Sequence, residues 1–155
     1  YTGSFSVYAA AGDAVKVTTV DMSNTYLQWA EKNMHLNGFK SSKKYDYIRE
    51  DILDWIPTVP PSSYDLIILD PPTFSNSKKM LLTWDVQRDH VTLINQIRSI
   101  LSPGGVLYFS NNYKKFKINI EDIYGYESIE ELTDKSIPED FERSKPHVCF
   151  RLINK

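Results

Sequence analysis

The sequence predicts an α/β fold of the doubly wound type, with a mostly parallel sheet and an antiparallel pair of strands near the C-terminus. Short apolar or β-branched segments alternate with segments of helical periodicity along most of the chain. Such alternation is typical of parallel strands joined by right-handed crossover helices. The last two predicted strands are too close in sequence for a helical crossover, which favours antiparallel pairing.

Each of the first two predicted strands is followed by a helix. The strand 16–20 precedes a helix that Ser23 is placed to cap. The strand 45–49 precedes a short helix over 51–56. Both strands therefore end in the segments where a doubly wound sheet binds its ligands.

The C-terminal part repeats this alternation once and then changes. The strand 64–69 is followed by the longest predicted helix, 85–101, and by a buried strand over 106–110. The segments 131–137 and 147–153 form the predicted antiparallel pair. We expect the strand ends at 21, 51 and 70 to lie at one edge of the sheet.

The length and the first residues indicate how the chain is organised. The 155 residues, 41% of them hydrophobic, fit one globular domain, 1–155. The first helix follows Gly3 directly, with no strand before it. We therefore expect a fragment of a longer protein that lacks the first strand of its sheet.

Composition argues against several classes of protein. No apolar stretch approaches the roughly 18 residues of a membrane span, so we expect a protein of the cytoplasm without membrane contact. Cys149 is the single cysteine, which excludes an internal disulfide. The three histidines are scattered along the chain, and we expect no structural metal.

Charge is unevenly distributed although the net charge is only −2. Residues 1–120 carry a net +2 and residues 121–155 a net −4. An anionic partner should favour the first part, unless these are ordinary solvated charges.

An acid, two prolines and an aromatic residue follow the third predicted strand, as Asp70-Pro71-Pro72-Thr73-Phe74. Prolines donate no backbone N–H and hold the chain extended, so we expect the carbonyls of Pro71 and Pro72 to be fixed acceptors. Asp70 is a further acceptor, and Phe74 offers a ring for stacking. The segment predicts a slot for a planar base, although a proline pair can also simply end a strand.

Residues near the first two strands suggest a nucleotide-like cofactor. Asp21 can accept hydrogen bonds from both hydroxyls of a ribose, and Asp51 or the Ile52 backbone can read the amino edge of adenine. Gly3 would allow close approach of the cofactor to the backbone, and Met22 could lie against adenine. The alternatives are a structural glycine, helix caps and a core methionine.

The chain resembles known methyltransferases at two levels. The Asp70 segment is similar to the (Asp/Asn)-Pro-Pro-aromatic motif of S-adenosylmethionine-dependent amino-methyltransferases, with Thr73 inserted. Nearly the full length resembles the C-terminal half of the bacterial bifunctional guanine methyltransferases of 23S ribosomal RNA. The similar segments are YTGSFSVYAA from residue 1, VDMS from 20, LNG from 36, LDPPTFSNS from 69, DVQRDH from 85, FSNN from 109 and IPEDF from 137.

This resemblance implies an S-adenosylmethionine cofactor and methylation of guanine N7 in 23S ribosomal RNA. It also implies an N-terminal half with an RNA-binding module and a second, N2-directed methyltransferase. The cofactor-binding residues expected on this basis are Tyr1, Thr2, Gly3, Ser4, Phe5, Asp21, Met22, Ser23, Asp51, Ile52 and Asp70. The expected catalytic residues are Asp70, Pro71, Pro72 and Phe74.

Basic residues after the slot could hold RNA phosphates, unless they are ordinary surface. The expected RNA contacts are one aromatic residue that stacks on a base and five cations: Phe74, Lys78, Lys79, Arg88, Lys114 and Lys115.

Nitrogen is a better acceptor for this chain than carbon. A sister family with the same fold methylates cytosine carbon 5 and needs a cysteine that adds to the ring. Where that family places its cysteine, this chain has Ser110-Asn111-Asn112, and Cys149 lies on a late strand. Guanine N7 carries no proton, so Asp70 would orient the base rather than act as a general base. Guanine N2, adenine N6, a protein amide and a noncatalytic RNA-binding role stay open.

Overall fold

The computed structural model describes residues 2–40, 43–75 and 83–155. The chain forms two compact units, Tyr1–Thr58 and Val59–Lys155, here called unit one and unit two. The single-domain prediction for 1–155 stays a prediction.

Unit one contains two parallel strands and three helices. Val17 of the first strand lies opposite Tyr45 of the second, and the pairing runs to Val20 opposite Ile48. These elements match the predicted ones to within a few residues. They are α1 (Ser4–Ala11), β1 (Val17–Val20), α2 (Asn24–Leu36), β2 (Tyr45–Ile48) and α3 (Ile52–Trp55).

Local sequence explains where α2 begins and which face it buries. Ser23 is its N-cap, and its side chain accepts a hydrogen bond from the Tyr26 N–H. Leu27, Ala30 and Met34 recur at helical spacing and are the buried residues of the helix. The predicted cap is confirmed.

Unit two contains a mixed sheet of four strands in the order β3-β6-β8-β7. β3 and β6 are parallel, whereas β8 pairs antiparallel with both β6 and β7. A two-residue antiparallel ribbon of β4 and β5 lies outside this sheet. The elements are β3 (Tyr64–Leu69), β4 (Phe74–Ser75), β5 (Trp84–Asp85), α4 (Val86–Ile97), β6 (Leu101–Asn111), β7 (Tyr126–Glu131), α5 (Thr133–Ser136) and β8 (Val148–Asn154).

One predicted strand lies in the wrong place. The segment 131–137 is not a strand: β7 ends at Glu131, and the single helical turn α5 follows it. The Ser136 N–H donates to the Leu132 carbonyl, which closes this turn. The predicted antiparallel pairing with the last strand is confirmed, because β7 pairs with β8.

Helix α4 covers the core of unit two. Asp85 caps it by accepting hydrogen bonds from the backbone N–H groups of Gln87 and Arg88. Its buried face includes His90, which contacts the rings of Phe109 and Phe116. The helix therefore anchors β6 from one face.

Within 2–40, 43–75 and 83–155, no helix is long and apolar enough to cross a membrane. Across the same ranges, no group of three or more His, Cys, Asp or Glu side chains is arranged to hold a metal ion.

Candidate active site

Asp21 and Asp51 of unit one each follow one of two neighbouring parallel strands, so they lie at the same edge of the strand pair. Asp21 accepts a hydrogen bond from the Ser23 N–H at 2.7 Å. Asp51 is the N-cap of α3 and accepts from the Leu53 N–H at 2.9 Å. Each carboxylate is oriented by a backbone group two residues further along the chain.

The edge of unit one fits a nucleoside cofactor such as S-adenosylmethionine. Asp21 is half-buried at the end of β1, and a carboxylate there is the acceptor that two ribose hydroxyls require. Met22 beside it leaves 37% of its surface exposed. Ile52, the first residue of α3, follows the acid at the end of β2. The roles of these residues as cofactor contacts stay predictions.

Gly3 has a structural reason to be glycine. Its φ of +73° is left-handed, and a Cβ built on it would lie 2.5 Å from Cβ of Ala30 on α2. The Thr2 carbonyl beside it accepts a hydrogen bond from the Asn33 side chain at 2.8 Å. The start of α1 is therefore packed tightly on α2, which is the structural alternative to a cofactor contact.

The remaining predicted cofactor residues differ in their surroundings. Ser4 and Phe5 open α1 and are exposed. Ser23 is half-buried and caps α2. Tyr1 lies outside the described residues.

In unit two, Asp70 is held by the neighbouring strand. The Ser110 hydroxyl donates a hydrogen bond to Oδ1 of Asp70 at 2.8 Å. Leu69 of β3 lies opposite Phe109 of β6. The residues that follow them, Asp70 and Ser110, therefore lie next to each other at the carboxyl ends of the two strands. Asp70 itself is exposed, and its side chain is available to a ligand.

Three hydrogen bonds hold the loop that follows Asp70. The Thr73 hydroxyl donates to the Asn112 side-chain oxygen at 2.7 Å. The indole N–H of buried Trp84 donates to the Pro72 carbonyl at 2.8 Å. The Val86 N–H donates to the Thr73 carbonyl at 3.0 Å. The loop is a preorganised platform, and the carbonyl of Pro72 contributes to holding it.

The aromatic residue of the motif is exposed beside a second ring. Phe74 leaves 57% of its surface accessible. Its ring centroid lies 6.2 Å from that of Tyr113, with an edge-on angle of 64° between the planes. The Tyr113 N–H donates to the Asn111 side chain at 3.0 Å. A flat base could stack on the open side of this pair.

Burial changes the titration of His90 and of Cys149 in unit two. It lowers the pKa of His90, whose Nε2 accepts a hydrogen bond from the Asn119 N–H and is therefore unprotonated. The pKa of the Cys149 thiol is raised, chiefly by burial and also by the charge of Asp70. A hydrogen bond with Ser136 offsets part of this rise. His90 is a neutral core residue, and Cys149 is a poor nucleophile near the site.

The predicted RNA-binding cations have different environments. Arg88 forms an ion pair with Asp89 at 2.7 Å and also donates to the Thr83 carbonyl, so it helps to hold the loop before α4. Lys114 and Lys115 are exposed in the turn after β6. Lys78 and Lys79 lie outside the described residues.

Residues at and just after the end of β6 contribute to the site without having been predicted. Ser110 contacts Asp70, Asn112 contacts Thr73, and Tyr113 contacts Phe74. The signal in the sequence is a second strand end with small polar residues, Ser110, Asn111 and Asn112.

Comparison with known proteins identifies the family. The family model described as S-adenosylmethionine-dependent methyltransferase matches residues 1–124. The "Ribosomal RNA large subunit methyltransferase K/L" of Magnetococcus marinus is 50% identical over 98% of this chain and 21% of its own length. The protein of the same name from Vibrio cholerae is 46% identical over all of this chain and 22% of its own length. The chain thus spans about a fifth of the length of the curated relatives it matches.

Solved structures agree with the fold. A methyltransferase complexed with SAH superposes with a TM-score of 0.77 at 26% identity, over 99% of this chain and 43% of that one. The S-adenosylmethionine-dependent methyltransferase of Agrobacterium tumefaciens gives 0.72 at 25% identity, over 100% and 53%. The predicted α/β methyltransferase fold is confirmed. The chain belongs to the S-adenosylmethionine-dependent methyltransferase family, and S-adenosylmethionine is its cofactor.

Proposed function

We propose that this chain transfers a methyl group to a guanine nitrogen, N7, in 23S ribosomal RNA. The names of relatives that are 50% and 46% identical to it support ribosomal RNA of the large subunit as the substrate. The observation that carries the proposal is the pairing of a fixed carboxylate, Asp70, with an exposed ring, Phe74, at one strand end. Together they provide an acceptor and a stacking surface for one planar base.

S-adenosylmethionine, when bound, supplies a methyl group activated on a sulfonium. Asp70 would accept hydrogen bonds from the N–H groups of the guanine edge and orient its N7 lone pair for in-line attack. Transfer of the methyl group to N7 would leave the cofactor as a neutral thioether and place positive charge on the purine. The Asp70 carboxylate stabilises that charge, and no proton has to leave N7.

Phe74 would stack on the acceptor base, with its ring supported by Tyr113. The platform of Pro71, Pro72 and Thr73 would set the height of the base above the sheet. Because the loop is already hydrogen-bonded before substrate binds, little reorganisation accompanies the reaction.

We further propose that Lys114 and Lys115, with Lys78 and Lys79, contact RNA phosphates, and that the chain acts in the cytoplasm next to the N-terminal half of a longer protein. That half would carry the RNA-binding module and the N2-directed activity. The exposure of Lys114 and Lys115, directly after Tyr113 in the turn that follows β6, supports their role as phosphate contacts.

The test is to identify the methylated atom. Full-length protein is incubated with 23S ribosomal RNA and labelled S-adenosylmethionine, and the nucleosides are separated by mass spectrometry. We expect 7-methylguanosine that disappears with Asp70→Asn and persists with Asp65→Asn, an exposed acid on the same strand. Appearance of N2-methylguanosine or N6-methyladenosine that depends on Asp70 would move the acceptor to another nitrogen.

A noncatalytic role is tested by binding. Calorimetry with S-adenosylmethionine on the full-length protein should show a saturable site that Asp21→Asn weakens, apart from the site of the N-terminal half. Absence of that site, together with RNA binding and no 7-methylguanosine, would establish an RNA-binding domain instead of an enzyme.

A further inference from the structure

Ser110 contacts Asp70 but has no role in the mechanism above. Its hydroxyl donates to Oδ1 of Asp70 at 2.8 Å, across 40 residues of sequence. The contact follows from the parallel register, because Leu69 lies opposite Phe109. A hydroxyl that donates to a carboxylate forms a charge-assisted hydrogen bond, which is shorter and stronger than one between neutral groups.

Two observations place the carboxylate on the β6 side of its loop. Cys149 of β8 lies opposite Ser110 of β6, and the charge of Asp70 reaches its thiol. Thr73, three residues after Asp70, is bonded to Asn112, the residue that directly follows β6. The loop is thus held at both of its ends by the carboxyl end of β6 and the residue after it.

We propose that Ser110 is a positioning residue for methyl transfer, whose hydroxyl holds Oδ1 of Asp70 so that Oδ2 stays turned toward the acceptor base. The inference rests on the proposed function of Asp70. A carboxylate at an exposed strand end can rotate about two side-chain bonds, and fixing one oxygen removes much of that freedom before the base arrives.

Two matched pairs of variants of the full-length protein test the rate. Ser110→Thr and Ser110→Val are both β-branched and suit a strand, but only threonine keeps the hydroxyl. We expect threonine to retain most of kcat and valine to lose about tenfold or more, as for a lost hydrogen bond to a charged group. Ser110→Ala should resemble valine. Ser102→Ala, on the same strand but bonded to the Ser62 carbonyl, should keep the wild-type rate.

The effect should fall on kcat and depend on Asp70. The KM for RNA should change by less than about twofold, because phosphate contacts dominate affinity for RNA. In single-turnover reactions, Asp70→Asn with Ser110→Ala should be no slower than Asp70→Asn alone, since Ser110 acts only by positioning the carboxylate that Asp70→Asn has already removed. Losses that multiply in the double variant would show that Ser110 acts through general stability and would overturn the proposal.

A readout without substrate separates this inference from the proposed function. Alkylation of Cys149 is followed against pH by peptide mass spectrometry in the absence of RNA and cofactor. Asp70→Asn should lower the thiol pKa, and Ser110→Ala should lower it by less, because the released carboxylate spends less time near β8. A shift with Asp70→Asn but none with Ser110→Ala would refute the positioning role. If both variants shift the thiol pKa but the wild-type protein forms no methylated guanosine, only the proposed function is refuted.

Discussion

The two units orient their acids in different ways. In unit one, Asp21 and Asp51 each accept a backbone N–H from two residues further along. In unit two, Asp70 is held by Ser110, which lies 40 residues away on another strand. Local contacts of the first kind survive small changes in packing, whereas the second kind exists only when β3 and β6 pair in register. Preorganisation in unit two is therefore a property of the sheet.

The largest effect is expected from Asp70→Asn. The variant keeps a side-chain oxygen for Ser110 but loses the charge that faces the substrate. We expect methyl transfer to fall by at least about 100-fold, as when a preorganised electrostatic contact is removed. Binding of S-adenosylmethionine, measured by calorimetry, should not change. Turnover close to the wild-type rate would remove Asp70 from the mechanism.

Gly3→Ala tests the packing of unit one. Left-handed strain and the contact with Ala30 together should lower the free energy of unfolding by about 3 kcal/mol. Gly38→Ala is the matched control, because Gly38 has a φ of +86° and no atom within 4 Å of the added Cβ. It should lose only about 1 kcal/mol through strain. Equal urea-unfolding midpoints for the two variants would show that α1 and α2 are less tightly packed than described.

The variants Asp21→Asn and Asp51→Asn test whether the two acids of unit one that accept a nearby backbone N–H also bind the cofactor. Both variants keep the oxygen that accepts the backbone N–H, so stability should hardly change. If Asp21 binds two ribose hydroxyls, its variant should weaken S-adenosylmethionine binding about tenfold, as for a lost charged hydrogen bond. Calorimetry measures both variants. Unchanged affinity with Asp51→Asn would leave Asp51 as the cap of α3 alone.

His90 should make stability depend on pH in unit two. Burial lowers its folded pKa below the ordinary value near 6.5, so its stabilising effect is complete above that pH. As pH falls below about 6.5, the unfolded chain takes up the proton first, and stability declines until the folded pKa is reached. Urea midpoints between pH 8 and pH 5 should show this decline, and His90→Asn should flatten it. A wild-type midpoint that does not fall would contradict the neutral, buried histidine.

The smallest effect is expected from the exposed lysines after β6. Lys114→Ala and Lys115→Ala should each reduce the salt dependence of RNA binding by about one phosphate contact and leave kcat unchanged. Arg88→Ala is a useful contrast, because Arg88 is paired with Asp89. Fluorescence titration at several salt concentrations measures the slopes. Unchanged slopes for both lysines would assign them to ordinary surface.

Much of unit one could be predicted because its signals are local. Ser23 as a cap, the stripe of Leu27, Ala30 and Met34, and the acids after short strands depend on neighbours within a few residues. The packing of Gly3 on Ala30 could not be predicted, because it joins two helices that share no sequence pattern. The glycine was recognisable, but the neighbour that it accommodates was not.

In unit two the Asp70 motif was recognisable and its surroundings were not. The carbonyl of Pro72 was expected to be an acceptor, but its partner Trp84 lies 12 residues away on a two-residue strand that has no periodicity to detect. The strand expected at 131–137 is misplaced, because β7 ends at Glu131 and Thr133–Ser136 forms a helical turn; this mostly polar segment has no periodicity that distinguishes the two. The RNA contact expected of Arg88 stays a prediction, but its ion pair with the neighbouring Asp89 had no signal in the sequence.

By itself, the sequence determined the succession of helices and strands, the acids that follow three of the strands and the proline-aromatic segment, because each depends on residues close together in the chain. Only the tertiary structure decided which groups meet those acids. The register of β3 on β6 brings Ser110 to Asp70, Asn112 to Thr73 and Tyr113 to Phe74. Pairing between strands some 40 residues apart is set by the burial of a whole sheet face, which no local pattern encodes.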